Sequence, residues 1–111
     1  MDVAFSTRKL EKIFNKEKEL VREYGPVMAR TIMMRMAVLR GAVNLTQVPQ
    51  TKPPRRHQLT QDRDEQFAVD LVHPYRLVFM PNHDPIPRRM DGGIDTDSVT
   101  AIEILEVINY H

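Results

Sequence analysis

Between Thr7 and Gly41 the apolar residues recur every three or four positions, whereas beyond His57 they alternate or run together in short stretches. That change of period divides the chain into a helical first part and a sheet-forming second part. Leu10, Ile13, Phe14, Leu20, Val21 and Tyr24 define one helix, capped by Ser6 or Thr7, with Lys12, Lys16, Lys18 and Arg22 facing outward. Gly25-Pro26 interrupts it, and Pro26 suits the first position of a second helix. The stripe of that helix is Ala29, Ile32, Met33, Met36 and Leu39, and Gly41 can end it. So short a join predicts an antiparallel helical hairpin, preceded by a short strand over residues 2–5. The methionines of the stripe read as core packing or as an adaptable partner surface.

Residues 42–56 are irregular, because Pro49, Pro53 and Pro54 exclude a central strand. Residues 57–60 enter the sheet, and residues 66–72 alternate with Phe67, Val69 and Leu71 on one face. After a turn at His73-Pro74, residues 75–80 set Arg76 and Val78 opposite Tyr75, Leu77 and Phe79. If the aromatic row is core, Arg76 faces the open side of the sheet. Residues 81–98 are polar, rich in Pro, Gly and Asp, and long for a hairpin connection, which marks them as functional or mobile. Residues 99–108 are apolar on both faces and predict an interior strand. The order β-α-α-β-β-β gives an α+β fold, a helical hairpin on one face of a mostly antiparallel sheet, in one domain over residues 1–111.

Composition narrows the class without naming it. The chain has no cysteine, so disulfides and thiolate metal sites are excluded. No stretch has the length of a membrane span and no leader pattern precedes the first helix, so the expected compartment is the cytoplasm. The net charge of +1 does not announce a nucleic-acid binder, but its distribution is uneven. Lys52, Arg55, Arg56, His57 and Arg63 fall in one stretch, diluted at its far end by Asp62, Asp64 and Glu65. Such a stretch can engage phosphates or can equally be solvated charge.

The residue types present suit one chemistry in particular. RNA is cleaved without a metal when its 2′-hydroxyl attacks the adjacent phosphorus, provided that one proton is removed and another supplied. Imidazoles serve both transfers near neutral pH, a guanidinium steadies the extra phosphate charge, and an aromatic ring stacks on an unpaired base. His57 and His111 offer the imidazoles, Arg76 the guanidinium and Tyr110 the ring. Each also has a plain structural reading, as a surface histidine, a cross-strand ion-pair partner or a chain end. Spacing alone does not join them.

A resemblance does. The stretch His57-Gln-Leu-Thr-Gln-Asp-Arg63, followed by Gln66-Phe-Ala-Val-Asp70, His73-Pro-Tyr-Arg76-Leu-Val-Phe79 and Asn109-Tyr-His111, resembles the HigB-type toxins of the RelE/ParE-like superfamily. The resemblance runs over nearly the whole chain. It implies a toxin of a type II toxin–antitoxin system, a ribosome-dependent, metal-independent endoribonuclease that cuts mRNA, inhibits translation and arrests growth. It implies no cofactor and no metal. Its partners would be the ribosome and mRNA, and a HigA-type helix-turn-helix antitoxin through which alone operator DNA is bound. The antitoxin could cover the helical hairpin, the long loop or the open sheet face.

Matched position by position, His57, Arg76, Tyr110 and His111 are the catalytic set. Lys52, Arg55, Arg56 and Arg63 are the supporting cations on the RNA. Asn109 stands where such toxins can carry an aspartate, and Thr60 where a lysine can occur. Asparagine orients a neighbour but takes no proton near neutrality. Which of His57 and His111 acts as base stays open. Two rival readings share the fold: a gyrase-inhibiting relative without catalysis, and a toxin fold that has lost activity and serves antitoxin binding and autoregulation.

Overall fold

In the computed structural model, which describes residues 1–109, three α-helices pack on one face of a five-stranded mixed sheet. The sheet order is β1-β5-β4-β3-β2, with β1 Asp2–Phe5, β2 His57–Gln58, β3 Phe67–Asp70, β4 Tyr75–Pro81 and β5 Ala101–Asn109. β2 to β5 form an antiparallel meander, and β1 joins β5 in parallel. The α+β expectation holds at this level, with β5 in the interior as its two apolar faces require. His57–Gln58 is a separate short strand, so the meander has one more member than the shorthand order counted.

The first predicted helix is two helices, α1 Arg8–Phe14 and α2 Glu17–Tyr24. Glu17 explains the break. It lies two turns after Leu10 and one turn before Leu20 and Val21, so an unbroken helix would set its carboxylate in the middle of the apolar stripe. Ending α1 at Phe14 places Glu17 in the exposed first turn of α2, where a carboxylate suits the positive end of the helix. Thr7 caps α1, its hydroxyl accepting from the Leu10 amide at 3.1 Å. Gly25 ends α2 and opens α3, Pro26–Gly41, at φ 83°, a left-handed conformation that favours glycine. Ala29, Ile32, Met36 and Leu39 of α3 are all buried, as their spacing predicted.

The main core lies between the helices and the inner face of the sheet, with Phe67, Val69, Leu77, Phe79, Ile102 and Ile104 meeting Phe14, Leu20, Ile32 and Leu39. Phe67 and Phe79 stack across β3 and β4 with ring centroids 6.0 Å apart. Tyr75 departs from the expected row: it lies beyond the core edge at 39% exposure. The outer face carries only a small cluster, Leu59, Ala68 and Val78, with Leu105 and Ile108 against it. Arg76, between Asp70 and Ile108 in the register, belongs to this outer face.

A bulge makes β5 serve both faces. Val78 pairs with Glu106 and Phe79 with Ile104, leaving Leu105 as the extra residue. Without it, the alternation that turns Ile102 and Ile104 inward would turn Glu106 inward and Val107 outward. The long segment after β4 is also more tightly packed than its composition suggests. Ile94 is 4% exposed, Arg88 pairs with Glu65, and His83 Nε2 accepts from the amides of Thr100 and Ala101 at 3.1 and 3.3 Å.

The bulge yields a stability prediction. Deleting Leu105 keeps Ile102, Ile104 and Val107 facing inward and removes one outer contact, so it should cost no more than about 3 kcal/mol. Phe79→Ala opens the core and should cost about 3–5 kcal/mol. Urea unfolding of both variants checks the order; a deletion that costs more than Phe79→Ala would contradict the assignment of Leu105 as the inserted residue.

Candidate functional site

Alternation places His57 and Leu59, Ala68 and Asp70, and Arg76 and Val78 on the outer sheet face. The chain between Thr51 and Arg56 then wraps over the end of that face. Pro54 is buried, its carbonyl accepts from the Asp70 amide at 2.9 Å, and Arg55 reaches the Asp70 side chain. The reach is two-pronged: Arg55 Nε donates to Oδ2 at 2.6 Å and a terminal nitrogen donates to Oδ1 at 2.7 Å. Such forked, charge-assisted pairs fix orientation as well as distance. Arg35, from the flank of the α3 stripe, donates to the Asp70 carbonyl at 2.6 Å, and Arg76 Nε lies 3.7 Å from Oδ1. Three guanidinium groups thus converge on one aspartate.

Arg55 has a second task. Its φ is 57°, left-handed for a residue with a side chain, at a cost of about 1 kcal/mol. Its carbonyl lies 2.9 Å from His57 Nδ1. A carbonyl only accepts, so Nδ1 carries the proton and Nε2 is the bare, basic nitrogen. That Nε2 is buried and has no hydrogen-bond partner among the described residues.

Electrostatics keep the ring neutral. Burial pushes the His57 pKa down. Its hydrogen bond to Arg55 and the Asp70 charge oppose this, while the charges of Arg55 and Arg76 add to it, and the net shift is below 6.5. Burial alone would raise the Asp70 carboxyl, but the Arg55 hydrogen bonds and the charges of Arg55 and Arg76 hold it below its usual range.

Two grooves meet at Arg76. One, of about 660 Å³, is lined by His57, Thr60, Arg63, Arg76 and Asn109 among others. The other, of about 630 Å³, lies at the β3–β4 turn and includes Arg35, Lys52, Arg55, Asp70, Tyr75 and Arg76. The structure therefore brings together His57, Arg76, Asn109 and Thr60, with Lys52 and Arg55 on the far side of Arg76. The other two supporting cations are placed differently. Arg56 is 7% exposed, its Nε donating to the Val48 carbonyl at 2.9 Å, so it holds the preceding loop. Arg63 lines the His57 groove but pairs with Glu106 at 3.1 Å and with the Gln66 amide oxygen at 2.9 Å. Tyr110 and His111 lie outside the described residues.

Arg35 and Asp70 were not among the sequence-derived candidates, though each left a signal. Asp70 is a charge at the end of an otherwise apolar strand, in phase with the outer face. Arg35 lies one turn from both Ile32 and Leu39, at the margin of a buried stripe. No group of three or more metal-ligating side chains occurs among the described residues, and no helix among them is long and apolar enough to cross a membrane. No family model, curated protein or solved structure matches the chain.

The His57 environment gives a pH prediction. Because the folded-state pKa is depressed, this group's contribution to stability is full above pH 6.5 and is lost as pH falls through the depressed value. NMR titration of the His57 ring should give a midpoint below 6.5, and Asp70→Asn, by removing a nearby anion, should lower it further. A midpoint above 6.5 in the unaltered chain would overturn the assignment of a neutral, Nδ1-protonated ring.

Proposed function

We propose that this protein is a HigB-like toxin with the RelE/ParE-type fold, which cuts mRNA on the ribosome by activating the RNA's own 2′-hydroxyl. The observation that carries this reading is His57: a neutral imidazole with its proton fixed on Nδ1 and its basic Nε2 without a hydrogen-bond partner among the described residues, in the groove that also holds Arg76. A general base needs a free lone pair and a pKa near or below working pH. Here the Arg55 carbonyl supplies the first and burial, with the Arg55 and Arg76 charges, the second.

On this reading His57 takes the 2′-hydroxyl proton, and Arg76 balances the negative charge that grows on the phosphate. Asn109, at the end of β5, lines the same groove. His111 then donates to the leaving 5′-oxygen and Tyr110 stacks on a base, the roles that the resemblance gives them. The proposal thus takes His57 as the base. Arg55 and Asp70 act through His57 and Arg76 as positioning residues. Neutralisation would come from a HigA-type antitoxin, and the work would be done in the cytoplasm, where ribosomes and mRNA are found.

Induction of the unaltered chain should produce discrete breaks in translated mRNA, mapped by primer extension. His57→Ala and Arg76→Ala should reduce cutting by about 100-fold or more at matched protein levels. Growth arrest with intact mRNA and damaged DNA would instead support the gyrase-inhibitor reading.

A further inference from the structure

The cleft at the β3–β4 turn has features that cleavage chemistry does not require. Arg35, Lys52, Arg55 and Arg76 line it against one carboxylate, Asp70. That carboxylate is already engaged by the Arg55 fork, so Arg35, whose Nε meets only a backbone carbonyl, and Lys52 leave the lining an excess of positive charge. Its walls also carry the half-exposed ring of Tyr75 and the Pro53, Pro54 and Pro74 rings. At about 630 Å³ it falls within the usual span of ligand clefts, roughly 300–1,000 Å³. Cations beside an exposed aromatic ring are the pairing that single-stranded nucleic acids use, phosphate on the charge and base on the ring. An acidic peptide would satisfy the cations but leave Tyr75 unused.

We propose that the cleft formed by Arg35, Lys52, Arg55, Tyr75 and Arg76 is a nucleotide subsite, holding the base and phosphodiester of single-stranded RNA next to the bond that lies over Arg76. Arg76 lines both this cleft and the His57 groove, so the strand passes from one to the other across that residue. Lys52 neutralises the flanking phosphate and the base stacks on Tyr75. Arg55 and Arg35, both anchored on Asp70, set the width of the cleft. The direction of the strand rests on reading His57 and Arg76 as the cleavage site; binding in the cleft does not.

Both probes of this subsite are exposed, so their substitution leaves the core untouched. A fluorescently labelled single-stranded RNA hexamer with 2′-O-methyl riboses cannot be cut by 2′-hydroxyl attack, and its anisotropy reports binding alone. Tyr75→Ala should weaken binding by about tenfold, while Tyr75→Phe should keep it, as stacking demands. Lys52→Ala should weaken it several-fold and reduce the slope of log affinity against log salt by roughly 0.7. Lys9→Ala, a charge-matched control on α1 outside both grooves, should change neither value.

Unchanged binding in both Tyr75→Ala and Lys52→Ala overturns the subsite, even if the chain cuts mRNA. Displacement of the RNA by hexaglutamate at equal concentration overturns it too, in favour of an acidic protein ligand. Binding that depends on Tyr75 and Lys52 in a chain that leaves ribosomal mRNA intact upholds the subsite and overturns the cleavage reading.

Discussion

The fork between Arg55 and Asp70 is the contact on which the outer face of the sheet depends. It ties an irregular, proline-rich segment to β3 and holds Arg55 in a left-handed conformation that it would not adopt unaided. From that conformation follow both the aim of the Arg55 carbonyl at His57 and the tautomer of the ring. The same carboxylate lies beside Arg76, and its backbone holds Arg35 and Pro54. One aspartate therefore gathers three guanidinium groups and, through Arg55, fixes which nitrogen of a histidine carries the proton. The side chains come from four different elements, α3, the loop before β2, β3 and β4, so the cluster ties these elements together.

This concentration of polar contacts is possible because the two faces of the sheet do different work. The inner face buries the aromatic stack and the aliphatic row against the helices, and most of the apolar surface lies there. The outer face keeps a few apolar residues beneath His57 and Arg76, enough to exclude water from part of the imidazole without closing the groove. A deeper cluster would bury Arg76 at a prohibitive desolvation penalty. A thinner one would leave His57 hydrated and its pKa unshifted.

Periodicity carried much of this into the sequence. The change from helical to alternating spacing, the glycine–proline join and the opposition of Arg76 to Leu77 and Phe79 are local patterns, and the structure reproduces them. Two features were written there but needed a cost to be noticed: Glu17 in the middle of a stripe, and the slip of phase between Ile104 and Val107. The site itself was less legible. Arg55 and Arg56 are adjacent and chemically identical, yet one faces the cleft and the other is buried on the Val48 carbonyl. The difference lies in partners distant along the chain, Asp70 for one and a loop carbonyl for the other, which no local spacing encodes. His57 was found by type and resemblance. Its basic nitrogen could be assigned only once the Arg55 carbonyl was located.

Charge shows the same dependence on distant partners. The cations around His57 fall close together along the chain, but folding sorts them. Arg63 is matched by Glu106 and, further along the chain, Arg88 by Glu65, so part of the basic charge flanking the outer face is neutralised within the fold. At the opposite end, by the β3–β4 turn, Lys52, Arg35, Arg55 and Arg76 surround a single carboxylate. A chain with a net charge of only +1 thus still presents a local excess of cations at one end of this face. A polyanion at that face would meet the cleft cations on one side of Arg76 and the imidazole on the other. On the proposed reading this arrangement suits a strand that is held before a proton is taken from it, because a charged histidine in the same field would add to the attraction but could no longer act as a base.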